Sequence, residues 1–284
     1  MLIRLTGCLA SKPVVAAHVC LLNRPLLINN AYFSGNRKTL FANSPINLHL
    51  VLEYLAFFTA YRYYLYLRKH STDPISSPNR ISIILGATIG ALLGSRIMGF
   101  LENPVADLST ITFVQAYNLK TIMGGLFGGL LGVETAKWMI KEKSSSGDLF
   151  TLPIIAGIFI GRIGCFLSGT NEFTYGTTTS FILGMDLGDG LQRHPIALYE
   201  LIFLLLLFIV LKRLYDRHDL ENGALFRFFM LSYFGFRFFI EFLKPNVFFI
   251  LGLSSIQWLC VVCFVYYRKT LISLSRAYAK VYLL

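Results

Sequence analysis

Four arginines, Arg62, Arg96, Arg162 and Arg237, lie inside stretches of this 284-residue chain that are otherwise apolar enough to span a bilayer. An arginine near the middle of a membrane costs about 2.5–3.5 kcal/mol on insertion scales. Its guanidinium cannot shed the charge, because its pKa lies too high. A chain that keeps four such residues must fold so that each meets a carboxylate, a run of carbonyls or an anionic ligand inside a helical bundle. The planar guanidinium fork is the best side-chain match for a phosphate, and the abundant phosphate of a membrane is a phospholipid headgroup.

The apolar runs predict seven spans, near 47–67, 81–101, 121–140, 151–170, 195–212, 225–243 and 248–267, each long enough to cross a bilayer at about 1.5 Å per residue. The expected fold is all-α: a polytopic membrane protein of seven transmembrane helices around a polar, arginine-lined intramembrane cavity. Only 14% of residues are charged, against about 25% in soluble domains. The net charge of +11 does not signal nucleic-acid binding, because the basic residues fall in clusters between the apolar runs rather than in one patch. One set of loops holds fourteen lysines and arginines, among them Arg68, Arg80, Lys141, Arg213 and Arg268, and the alternate set holds three, Lys120, Arg193 and Lys244. That asymmetry places the C-terminus in the cytoplasm and the segment before the first span outside, although Arg4, Lys12, Arg24, Arg37 and Lys38 in that segment run against the pattern. Three regions follow: an N-terminal extension over 1–46, a seven-span domain over 47–268 and a basic cytoplasmic tail over 269–284.

The first 22 residues are interrupted by Ser11, Lys12 and Pro13 and make a poor signal peptide. Leu5-Thr6-Gly7-Cys8 has the order of a lipoprotein cleavage box, but no apolar run precedes it. Cys260 and Cys263 form a C-x-x-C spacing in an apolar helix with no basic neighbour to lower a thiol pKa, so they read as small core residues. Gly86, Gly90 and Gly94 line one face of the second span, and Gly124, Gly125, Gly128, Gly129 and Gly132 do much the same in the third. Small residues let helix backbones approach closely. Gly124-Gly125, at the start of a span, also allows an irregular or re-entrant backbone lining a cavity.

Two stretches carry the chemical signal. In Gly161-Arg162-Ile163-Gly164-Cys165, followed by a polar loop from Ser168 to Gly176 that contains Glu172, small residues flank an arginine near the end of the fourth span. Gly161 and Gly164 leave space through which a headgroup could approach. In the sixth span Tyr233, Arg237 and Glu241 stand at i, i+4 and i+8 and share one face. The plain alternative for that face is an internal Arg–Glu pair.

These two stretches, with Arg193-His194-Pro195 leading to Tyr199-Glu200, resemble the prolipoprotein diacylglyceryl transferase family in order and spacing, over residues 47 to 245 or so. The resemblance implies an enzyme of the bacterial inner membrane that moves a diacylglyceryl group from phosphatidylglycerol to the thiol of a lipobox cysteine in a prolipoprotein signal peptide, releasing glycerol phosphate. Such a reaction needs a cation to hold the departing negative charge and a means of making the thiolate. By the same resemblance Arg162 and Arg237 clamp the phosphate, Glu172 is the acidic residue of the outer loop, and Gly176 closes that loop. Tyr233 and Glu241 accompany Arg237, Arg96 attracts the headgroup, and Gly124, Gly125 and Gly164 belong to the substrate site. Arg62 has no counterpart and is expected to pair with Glu53 or to lie near the cytoplasmic interface.

Two positions depart from the family pattern. Met123 stands where many members carry a histidine proposed as the base, and Cys165 replaces an asparagine. His194 is the replacement candidate for the base, against a structural role at a helix start; alternatively the field of the arginines lowers the thiol pKa. Two other functions remain open at this level, an organic-anion transporter and a phospholipid-binding protein that has lost catalysis. The histidines lack ligand spacing for a metal, no phosphate-loop lysine follows the glycine runs, and no cofactor is implied.

Overall fold

The computed structural model describes residues 48–71, 73–102, 119–171, 174–217, 221–245 and 250–273, all within one compact unit that spans residues 38–284. The expectations for residues 1–46, for Glu172 and for the end of the tail lie outside the described residues. What is described is predominantly helical: α1 (Leu48–Lys69), α2 (Ser77–Glu102), α3 (Ile122–Met139), α4 (Asp148–Ser168), α5 (Ile196–Arg217), α6 (Ala224–Ile240) and α7 (Ser255–Tyr266). Each apolar run of the sequence coincides with one of these helices. The largest shift is at the last, which starts at Ser255 rather than near 248. Ile250 and Leu251 extend the apolar run but belong to a turn, in which Leu251 (φ 53°) and Gly252 (φ 79°) are left-handed. Ser254 then opens α7 with a capping box to Gln257, which satisfies two backbone donors at once.

Two of the helices, α2 and α4, are long and apolar enough to cross a membrane by length and composition alone. On α2 the side chains of Ile81, Leu85, Ile89, Leu92 and Ile97 are exposed, as are Tyr54, Phe57, Phe58 and Tyr61 on α1. Continuous apolar faces of this size are rare on soluble monomers.

The closest helix pair is α2 with α3. A Cβ added at Gly90 would strike the Gly128 carbonyl oxygen, one at Gly94 the Gly124 oxygen, and one at Gly132 the Gly86 oxygen. The two glycine faces read from the sequence therefore meet each other, backbone on backbone. Gly124 and Gly125 do not make a re-entrant segment: α3 is regular from Ile122, with the Thr121 hydroxyl accepting from Gly124 N–H. A second core gathers Leu152 and Ile155 of α4, Leu204 and Leu211 of α5, Phe229 and Phe234 of α6, and Cys260 and Cys263 of α7. The two cysteines are fully buried and unbridged.

Short connections gather one set of helix ends. Asp148, at the start of α4, accepts from Gly223 N–H (2.5 Å) and Phe226 N–H (2.9 Å), so its carboxylate caps the positive end of α6. At the same end Arg80 is buried against Asp73 and donates to the Ser146 carbonyl. Beyond the other end of α4 a hairpin pairs β1 (Met185–Asp186) antiparallel to β2 (Gln192–Arg193). Its turn is held by Asp186, which accepts from Gly188 and Gly190 N–H at 2.8 and 2.9 Å; those two donors keep the Asp186 carboxyl below the usual carboxylate range.

Candidate active site

Arg162 is placed by α4, Glu200 by the second turn of α5, and Tyr233 and Arg237 by successive turns of α6; all four are buried. Glu200, with 0% exposure, is the hub. Arg162 Nε lies 2.8 Å from Glu200 Oε1, Arg237 Nη1 donates to Oε2 at 3.0 Å, and the Tyr233 hydroxyl donates to Oε1. Arg237 Nη2 donates to Glu241 Oε2 at 3.1 Å. Lys244 then bridges Glu241 (3.4 Å) and Glu102 at the end of α2 (2.8 Å). The series Arg162, Glu200, Arg237, Glu241, Lys244, Glu102 alternates in sign, and its three cations and three carboxylates cancel. Buried charges persist only when paired in this way.

The pairing leaves donors over. Among the described residues, Arg162 Nε and Arg237 Nε are buried with no acceptor in line; the Glu200 oxygen near Arg162 Nε lies off the N–H direction. A guanidinium carries five donors, and an unsatisfied buried donor costs about 1–3 kcal/mol. A Cβ at Gly161 on α4 or at Gly235 on α6 would meet nothing within 4 Å. Gly161 therefore faces open space. Gly164 does not: its neighbourhood is taken by His49 and Leu52 of α1.

The structure thus brings together Arg162, Tyr233, Arg237 and Glu241 from the expected set. It leaves His194 in a separate contact, with Nδ1 3.2 Å from the Tyr199 hydroxyl oxygen. Gly176 serves the backbone there: its N–H donates to the His194 carbonyl at 2.9 Å, and a Cβ would lie 2.6 Å from that of His194. Arg96 donates to the Leu119 carbonyl at 3.4 Å, ahead of α3. Gly124 packs on Gly94 and Met98, while Gly125 has ordinary contacts with Ala91 and Ser95. Glu53 is joined to Lys120 rather than to Arg62. Met123 is buried in the apolar core. Glu200 is the residue whose role went unread in the sequence; the available signal was a lone carboxylate early in an apolar run, which must find a cation as surely as a lone arginine must find an anion.

The family model for prolipoprotein diacylglyceryl transferase matches residues 39–272. Among similar curated proteins, the phosphatidylglycerol–prolipoprotein diacylglyceryl transferase of Pseudoalteromonas atlantica is 34% identical over 173 residues, 58% of this chain and 57% of that relative. The protein of the same name from Wolbachia pipientis is 34% identical over 197 residues, 64% of this chain and 72% of the relative. That of Idiomarina loihiensis is 30% identical over 228 residues, 73% of this chain and 81% of the relative. The matched stretch holds all six members of the buried charge series, and with it this chain belongs to the prolipoprotein diacylglyceryl transferase family.

Proposed function

We propose that this protein transfers a diacylglyceryl group from phosphatidylglycerol to the thiol of a lipobox cysteine in prolipoproteins and releases glycerol phosphate. The observation that carries the proposal is the pair of buried arginines held on one carboxylate, each with its Nε lacking an aligned acceptor, in a chain of this family. The acceptor thiolate attacks a glyceryl carbon, the carbon–oxygen bond to phosphorus breaks, and its electron pair leaves on the phosphate oxygen. Arg162 and Arg237 hold that developing charge. Because Glu200 and Tyr233 already fix both arginines, their donors need no rearrangement when the charge appears, the condition under which electrostatic stabilisation is largest. Glu172 completes the outer loop, Gly176 ties that loop to the start of α5, and Arg96 draws the headgroup inward.

In this account the seven helices are seven spans of the bacterial inner membrane, with an arginine-lined cavity open to lipid and the C-terminus in the cytoplasm. The exposed apolar faces of α1, α2 and α5 support embedding, and the loop asymmetry of basic residues supports the orientation. The donor reaches the site laterally, and the acceptor arrives as a helical signal peptide. Met123 favours a second reading, a phospholipid-binding protein without catalysis, because a buried methionine cannot take a proton. Mass spectrometry of a lipobox peptide incubated with the purified protein and phosphatidylglycerol separates the two. A diacylglyceryl adduct on the cysteine establishes the transferase; phosphatidylglycerol binding without adduct establishes the second reading.

A further inference from the structure

His49 stands in the first turn of α1 with its ring against α4. A Cβ at Gly164 would lie 3.2 Å from the His49 Cδ2, so the glycine leaves the ring its place. His49 Nε2 is 3.7 Å from Cys165 Sγ, and the same sulfur takes Arg162 Nη1 at 3.8 Å. One side chain therefore separates an imidazole from a guanidinium of the buried cluster. The other described histidines are engaged elsewhere: His194 with Tyr199, and His70 with the Tyr66 carbonyl at the far end of α1. Met123, where the resemblance puts the family's histidine, is enclosed by apolar side chains.

We infer that His49 is the proton acceptor for the incoming thiol, with Cys165 holding its ring in the resting enzyme. The inference rests on the transferase reading above. Neutral imidazole accepts at Nε2 from the Cys165 S–H at rest, and the acceptor cysteine takes that place when it binds. Its S–H proton passes to His49 Nε2, the sulfur–carbon bond forms, and the carbon–oxygen bond breaks with the electron pair going to the phosphate. The imidazolium then returns its proton to the departing glycerol phosphate. His49 and Cys165 together thus replace a histidine on α3 with one on α1, approaching the arginines from across α4.

The test uses the full chain in detergent with phosphatidylglycerol and a lipobox peptide, reading adduct formation by mass spectrometry. His49→Gln should lower turnover by at least about 100-fold, the scale of a lost general base, while phosphatidylglycerol binding and the melting temperature stay near wild type. Added imidazole, or a second substitution Met123→His, should restore turnover in that variant. Turnover of His49→Gln within about threefold of wild type, far below the effect of losing a general base, overturns the inference and leaves the transferase standing. Loss of turnover together with lipid binding, without imidazole rescue, also overturns it, by making His49 structural. If the wild type forms no adduct, the transferase reading itself fails and the inference falls with it.

Discussion

Among the described residues arginine is buried at two sites, at opposite ends of α4, and the two are built differently. Arg80, 2% exposed, has its donors matched: Nε and Nη2 both donate to Asp73, a carboxylate that Arg68 also approaches at 3.5 Å, Nη1 reaches the Ser146 carbonyl at 3.3 Å, and the guanidinium lies 5.7 Å from the Phe150 ring centre. Its donors are taken up by the turns it joins. Arg162 and Arg237 share Glu200, and each keeps an Nε with no aligned acceptor. Burial of a cation is common to both, so burial alone does not mark function. The difference lies in the guanidinium donors left over at the shared carboxylate, and a buried donor without an acceptor calls for an explanation.

The comparison breaks if the two sites respond alike. The largest effect is expected at the hub. Glu200→Gln removes the one negative charge among the described residues that touches both arginines, so it should destabilise the fold by about 3–5 kcal/mol and abolish turnover; thermal unfolding and adduct yield measure the two. Next, Arg162→Ala and Arg237→Ala should each lower turnover by about 10²–10³, the scale of one lost oxyanion donor, in protein that still folds. Arg80→Ala should behave in the opposite way, losing about 1.5–3 kcal/mol of stability with its charged hydrogen bonds while the folded fraction turns over normally. The smallest effect is expected in the α3–α4 turn. There Glu142 accepts from the Ser144 N–H (3.0 Å) and the Asn79 side chain (3.1 Å), and these donors pull its pKa from 4.5 down to about 2. A depressed carboxylate stabilises above its ordinary pKa and loses that contribution as pH falls through the lowered value. The turn should therefore hold its order from about pH 4.5 upward and loosen toward about pH 2, and Asn79→Ala should raise the midpoint followed at the Ser144 amide.

Much of this contrast was legible in the sequence, and the rest was not for definite reasons. Helices showed as apolar runs because each is apolar over most of its length. The Tyr233, Arg237 and Glu241 face was legible because helical spacing is local; Arg237 and Glu241 do meet, at 3.1 Å, although Glu241 already sits in a 3₁₀ turn. The glycine stripes of α2 and α3 were legible as close-packing faces, and only their mutual fit needed the structure. Glu200 was not legible as the hub, since its partners lie 38 residues before it and 33 and 37 after it, on other helices. Arg80 reads from the sequence as one of the loop cations: at a helix start beside a polar turn, nothing local reveals that Asp73 and Phe150 close over it. The contact of His49 with Cys165 joins positions 116 residues apart, and no local pattern announces it.

The most direct test sets Arg162→Ala beside Arg80→Ala, at equal amounts of folded protein, and weighs the diacylglyceryl adduct on a lipobox peptide. The account predicts wild-type adduct from Arg80→Ala and a loss of about 10² or more from Arg162→Ala. Equal yields from the two variants, whether both retained or both lost, would contradict it.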